Sequence, residues 1–320
     1  MSLLPYIGAI IAGLLLLVWS ADRFVEGAVA LARNSGMSPM LIGLTIVAFG
    51  TSAPEMLVSA TAALTDAPAL AVGNALGSNI ANIGLVLGIT TLVAPIPLNK
   101  TVLTRELPIL LAVTVLALLL LLDQSLTPLD GILFLAMLAA ALFLMSRKGK
   151  EGEAREVIEE VEGVPAMSAG KASLLFGIGL GALIVSSRIL VWGATELALT
   201  MGVSELIIGL TIVAIGTSLP ELAASVASAL KGHHDVALGN IIGSNLFNLL
   251  AVLAMPALLN PLHIDLDVLY RDYGTMAGLT ILLALFAYGM RKKGKLARFE
   301  GGILLACYIA YTVVLYNVAR

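Results

Sequence analysis

Apolar residues crowd into ten segments of this chain, at about 5–32, 38–65, 69–94, 106–123, 128–146, 172–200, 204–230, 235–259, 273–290 and 299–318. A helix crossing the hydrocarbon layer takes about 17–25 residues, and each segment meets that length. One long polar stretch, SRKGKEGEAREVIEEVEGVPAMSAGK at 146–171, divides five segments from five. The pattern predicts an all-α polytopic membrane protein of ten transmembrane helices. Five lie in 1–146 and five in 172–320, joined by a cytoplasmic linker at 147–171. The first run, YIGAIIAGLLLLVW, has no basic stretch before it and continues through SADRFVEGAVALA. It therefore reads as the first transmembrane helix and not as a cleaved leader.

Composition agrees with the pattern. Hydrophobic residues make up 59% of the 320 and charged residues 12%, where a soluble domain keeps roughly a quarter charged. The lipid bilayer is the expected partner and nucleic acid is not, because the charges lie in loops and form no basic patch. A single cysteine, Cys307, leaves no disulfide framework and no cysteine-built metal site. The basic residues fix an orientation. With the N-terminus outside, the inward loops hold Arg33, Lys100, Arg105, Arg147, Lys148, Lys150, Arg155, Lys171, Lys231, Arg291, Lys292, Lys293, Lys295 and Arg298, and the outward segments only Arg271 and Arg320. That asymmetry predicts a multi-pass protein of the plasma membrane with both termini outside.

The two halves are copies. Residues 43–88 laid over 209–254, at a constant offset of 166, match at 23 of 46 positions without a gap. GLTIVAFGTSAPE lies over GLTIVAIGTSLPE, and GNALGSNIAN over GNIIGSNLFN. With an odd number of helices in each half, the second copy enters the membrane upside down. Inverted repeats of this kind build secondary transporters whose site forms at mid-membrane between the halves.

The duplicated motifs carry polar chemistry into apolar runs. Pro54 has no N–H to give and its ring crowds the preceding turn, so the backbone around Ala48, Gly50 and Thr51 is loosened. Glu55 follows, on the face that carries Thr51 and Ser52. Ala214, Gly216, Thr217, Ser218, Pro220 and Glu221 repeat the arrangement, and the next helices add Ser78 with Asn82 and Ser244 with Asn248. Together they predict a cage of two carboxylates, hydroxyls, amides and freed carbonyls. Such all-oxygen chemistry suits Ca²⁺ and also Na⁺. His233, His234 and Asp235, beside Lys231, read as a solvated turn. Asp22, Arg23, Glu26, Arg188 and Glu196 read as charges that pair internally or snorkel to the interface.

At the paired GTS-x-PE and GN-x-x-GSN motifs the sequence resembles the calcium/cation antiporter superfamily, in its sodium/calcium exchanger branch of bacteria and archaea. The resemblance implies an antiporter with four cation positions between the second, third, seventh and eighth helices, and a sliding of the first and sixth helices across the rest. It implies Ca²⁺ on Glu55 and Glu221 with the carbonyls of Thr51 and Thr217. It implies Na⁺ positions completed by Ser52, Ser78, Ser218, Ser244 and the carbonyls of Ala48 and Ala214, with Asn82 and Asn248 facing the centre. No cofactor is implied, only the transported ions Ca²⁺ and Na⁺. Family members often carry an aspartate where this chain has Asn248, which argues against potassium co-transport. The proton-coupled branch typically has a glutamate within the motif after GN, and GNALGSN and GNIIGSN have none, which favours Na⁺ as the driving ion. The alternatives are H⁺/Ca²⁺ or other cation exchange and a cation channel. An intramembrane metalloprotease needs a zinc motif such as HExxH, which the three histidines do not form, so no enzymatic activity is expected.

Overall fold

The computed structural model describes residues 3–65, 68–146, 167–202, 214–289 and 294–318. It is mostly helical. In chain order the helices are α1 (Leu4–Ser35), α2 (Pro39–Thr51), α3 (Ala53–Leu64), α4 (Pro68–Val93), α5 (Val102–Leu121), α6 (Pro128–Ser146), α7 (Ala169–Thr200), α8 (Ala214–Thr217), α9 (Leu219–Leu230), α10 (His234–Leu259), α11 (Gly274–Gly289) and α12 (Arg298–Val318). Among the described residues seven helices are long and apolar enough to cross a membrane, or up to eight when α2 and α3, bent by 44°, count as one span. The stretch expected to begin the seventh crossing, 204–213, lies outside the described residues, as does most of the linker. α7 begins at Ala169, slightly before the expected 172, because the Ser168 hydroxyl accepts from Lys171 N–H and caps the helix.

Burial sorts the helices into centre and rim. In α4 and α10 the apolar span is 78% and 89% buried, whereas in α1 and α7 it is 22% buried. The inner helices are the two that carry the GN-x-x-GSN motifs. Their core includes Leu76, Ile80, Ile83, Ile242, Leu246 and Leu250. Outward-facing side chains on the rim are large and apolar, including Leu15, Val18, Leu119, Leu122 and Leu285, as lipid contact requires.

The rim helices α1 and α7 pack on each other through glycines. A Cβ at Gly27 would collide with the Phe176 backbone, and one at Gly179 with the Phe24 backbone. Gly13 faces Leu190, and Gly193 faces Tyr6, Ala9 and Ile10. Adding 166 turns Gly13 into Gly179 and Phe24 into Leu190, so the two crossings are the same contact made twice. Close backbone approach through small residues is how helices associate where lipid removes a hydrophobic drive.

Four short strands close the ends. β1 (Ile96–Pro97) pairs antiparallel with β4 (Lys295–Leu296), and β2 (Ser125–Leu126) with β3 (Leu262–His263). Each sheet joins a strand of the first half to a strand of the second. Wide helical turns also recur. The π-helical Asn82–Leu87 in α4 has its counterpart at Phe247–Val252 in α10, and Val102–Glu106 at Val268–Tyr273.

Candidate cation site

Each GTS-x-PE motif breaks a helix. α2 ends at Thr51, Ser52 takes φ −85° and ψ 0°, and α3 starts with Pro54 in its first turn. In the second copy α8 ends at Thr217, Ser218 takes φ −90° and ψ 5°, and α9 starts with Pro220. Proline is tolerated in a first helical turn because the missing N–H would have no partner there. Glu55 and Glu221 therefore sit in first turns, where the unpaired N–H groups of the helix favour negative charge. The Ala48 carbonyl accepts from Ser52 N–H at 2.9 Å and from the Thr51 hydroxyl at 3.4 Å.

Both glutamates are 1% exposed. The Ser52 hydroxyl donates to Glu221 Oε1 at 3.3 Å, and the Thr51 hydroxyl to Asn240 Oδ1 at 3.2 Å, so the first motif touches the second half directly. Beyond these bonds a set of buried oxygens and amides has no partner among the described residues. It comprises both carboxylate oxygens of Glu55, Oε2 of Glu221, the hydroxyls of Ser218 and Ser244, and the side-chain amides of Asn82 and Asn248. A buried polar group left without a hydrogen bond costs roughly 1–3 kcal/mol, and more when charged. So many in one protein points to partners that are not protein. The chemistry is hard oxygen throughout, and no group of three or more His, Cys, Asp or Glu side chains that could hold a metal occurs among the described residues.

The other predicted residues are placed as follows. Ser78 is buried on α4. Thr217 is half-buried at the end of α8, and Ala214 opens that helix. The histidine turn lies between the two motifs of the second half in sequence and is not fully solvated. His233 is half-buried, and burial, with Lys231 and His234 beside it, lowers its pKa. Asp235 accepts from Asn99 Nδ2 at 2.9 and 2.8 Å. On α1, Asp22 pairs with Lys231 at 2.7 Å and Arg23 with Glu26 at 2.8 Å, the internal pairing expected of them.

Two motif asparagines act in ways that the sequence alone does not show. Asn74 Nδ2 donates to the Glu55 carbonyl at 3.1 Å and to the Ser59 hydroxyl at 3.0 Å. Asn240 Nδ2 donates to the Glu221 carbonyl at 3.4 Å and to the Ser225 hydroxyl at 3.0 Å. Each asparagine ties the turn that bears a glutamate to the neighbouring inner helix. The signal was present in the repeat, since Ser59 with Ser225 and Asn74 with Asn240 are among the matched positions. Asn79 is buried, with its amide unpartnered among the described residues.

A family model described as "Sodium/calcium exchanger protein" matches residues 5–147 and 171–317. The chain is 48% identical over 311 residues to "Putative antiporter CaxA" of Alkalimonas amylolytica, covering 96% of this chain and 98% of that protein. It is 44% identical over 318 residues to "Inner membrane protein YrbG" of Escherichia coli, covering 96% and 95%. Among solved structures, the sodium-calcium exchanger NCX_Mj soaked with 10 mM Na⁺ and zero Ca²⁺ superposes with a TM-score of 0.83 at 34% identity, covering 97% of this chain and 98% of that one.

Proposed function

Because the chain belongs to the sodium/calcium exchanger family of cation antiporters, we propose that it exchanges Na⁺ for Ca²⁺ across the plasma membrane by alternating access to one mid-membrane site. The observation that carries this reading is the unpartnered oxygen set drawn from both halves: Glu55 and Asn82 from one, Glu221, Ser218, Ser244 and Asn248 from the other. Two carboxylates neutralise one Ca²⁺. Around them Thr51 and Thr217 supply carbonyls to Ca²⁺, while Ser52, Ser78, Ser218, Ser244, Ala48 and Ala214 serve Na⁺. Asn82 and Asn248 face the central position.

The architecture proposed for this cycle is ten transmembrane helices in two inverted five-helix repeats, 1–146 and 172–320, with the linker 147–171 inside and both termini outside. α9 and α11 supply the crossings beyond the eight spans. The offset of 166 that relates the α1–α7 glycine contacts supports the repeat, as do the π-helical turns at corresponding places, one residue off that offset, and the cross-paired strands. Those strands join loops assigned to the same side of the membrane: β1 with β4 inside, β2 with β3 outside. The relative called an inner membrane protein supports the plasma membrane as the location.

Na⁺ is chosen over H⁺ because no third carboxylate appears in either GN-x-x-GSN motif. The test is ⁴⁵Ca²⁺ uptake into proteoliposomes preloaded with Na⁺, with K⁺, or with only a proton gradient. Uptake that needs the outward Na⁺ gradient is the expected result. Uptake driven equally by protons with no Na⁺ present identifies an H⁺/Ca²⁺ exchanger, and flux indifferent to any opposing gradient identifies a channel.

A further inference from the structure

A cavity of about 260 Å³ lies between α7 and the two motif turns, lined by Pro54, Val58, Ile184, Val191, Trp192 and Pro220 among others, with Arg188 on its wall. An engineered core cavity of about 150 Å³ already takes up benzene, so there is ample room for a stretch of hydrocarbon. The cavity reaches the surface, where Trp192 is 51% and Val58 36% exposed. None of the unpartnered cage oxygens lines it, and a guanidinium on the wall repels cations. The cavity backs onto the cation site, sharing Thr217 with it, but does not hold the unpartnered oxygens.

Arg188 is the unusual element. α7 has 32 residues, about 48 Å at ~1.5 Å per residue, against a hydrocarbon layer of about 30 Å. Arg188 stands twelve residues before the end at Thr200; with the helix centred, that is about 9 Å inside the layer. Its side chain is exposed, and among the described residues it has no hydrogen-bond or ion-pair partner. Its counterpart at the offset of 166 is Asp22, which is paired with Lys231. The place equivalent to Lys231 is Thr65, which has no charge to offer. A cation at this depth costs several kcal/mol unless something neutralises it.

We propose that this cavity binds an anionic phospholipid of the outer leaflet, its phosphate on Arg188 and one acyl chain inside. Arginine donates to phosphate through two parallel N–H groups, the strong form of charge-assisted bond, and the aromatic face of Trp192 at the mouth suits the interface between chain and headgroup. An occupant there touches Pro54, Gly216, Thr217 and Pro220. It would therefore stiffen both broken helices from behind and slow their rearrangement.

The experiment uses the full chain in proteoliposomes with Trp19→Phe, which leaves Trp192 as the reporter, since the protein has two tryptophans. Brominated phosphatidylglycerol and brominated phosphatidylcholine of matched chains are titrated as quenchers of Trp192. Both lipids offer the phosphodiester, but choline adds a cation that opposes Arg188, so phosphatidylglycerol should quench at a mole fraction about tenfold lower, the scale of one like-charge contact near a protein surface. Arg188→Gln should make the two curves coincide, Arg188→Lys should keep part of the preference, and Val58→Phe should weaken quenching by both lipids. Ca²⁺ uptake by each variant verifies that it is folded. Equal quenching by both lipids in the unsubstituted cavity overturns the proposal. So does an Arg188→Gln variant that keeps the phosphatidylglycerol preference. Unchanged quenching with an altered Na⁺ KM in that variant makes the cavity an ion path instead.

Discussion

Glu55 and Glu221 are buried in first helical turns, and among the described residues both oxygens of Glu55 and Oε2 of Glu221 lack a hydrogen-bond partner, while Oε1 of Glu221 accepts from Ser52. A unit charge pair about 4 Å apart interacts by about 4 kcal/mol at an effective dielectric of 20, and a divalent ion doubles that. Glu55→Gln and Glu221→Gln should therefore each cut Ca²⁺ exchange by more than about a hundredfold, measured as the initial rate of Na⁺-dependent ⁴⁵Ca²⁺ uptake. His233→Ala, in a half-buried turn outside the cage, should leave that rate within about twofold, the scale of ordinary surface substitutions. If either glutamine variant kept near wild-type exchange, the two carboxylates would not share one ion.

The broken helices were legible because proline, glutamate and the repeat leave an unmistakable mark in an apolar run. The braces behind them were not. Asn74 and Asn240 read as generic polar residues until the structure shows each one donating to the carbonyl of a site glutamate. A spacing of 19 residues between partners on different helices has no periodic signature. Asn74→Ala and Asn240→Ala each leave a buried carbonyl and hydroxyl short of a donor, a loss of about 1–3 kcal/mol. Each should lower the uptake rate roughly tenfold, and the double variant should depart from the product, because Asn240 also accepts from Thr51 of the first turn. Unchanged rates in both single variants would show that the turns hold without them. At the α1–α7 crossing the prediction concerns stability. Gly27→Ala and Gly179→Ala place a methyl against backbone, which costs about 1–3 kcal/mol of stability each, and should lower the unfolding midpoint in detergent. Gly8→Ala, with nothing within 4 Å of its Cβ, should not. Equal midpoints for all three would mean that the helices separate freely.

At the scale of the whole molecule, hydropathy and the offset of 166 gave the helical pattern, because lipid forces every spanning segment to be a nearly pure apolar helix. The wide π turns and the four two-residue strands left no trace in hydropathy, being too short and set by tertiary contacts. Those strands nevertheless provide the sharpest test of topology. Ser125 faces His263 and Ile96 faces Leu296, and antiparallel partners stand about 4.5–5.5 Å apart at Cα, within the span of about 4.4–6.8 Å that a disulfide bridges. In a Cys307→Ser background, Ser125→Cys with His263→Cys and Ile96→Cys with Leu296→Cys should both cross-link under mild oxidation. Before oxidation, a membrane-impermeant thiol reagent outside right-side-out vesicles should block only the 125–263 pair, and in inverted vesicles only the 96–296 pair. Blocking in the reverse sense would invert the orientation drawn from the basic loops. Blocking of both pairs from one side would place all four strands on a single face, which two inverted five-helix halves cannot do.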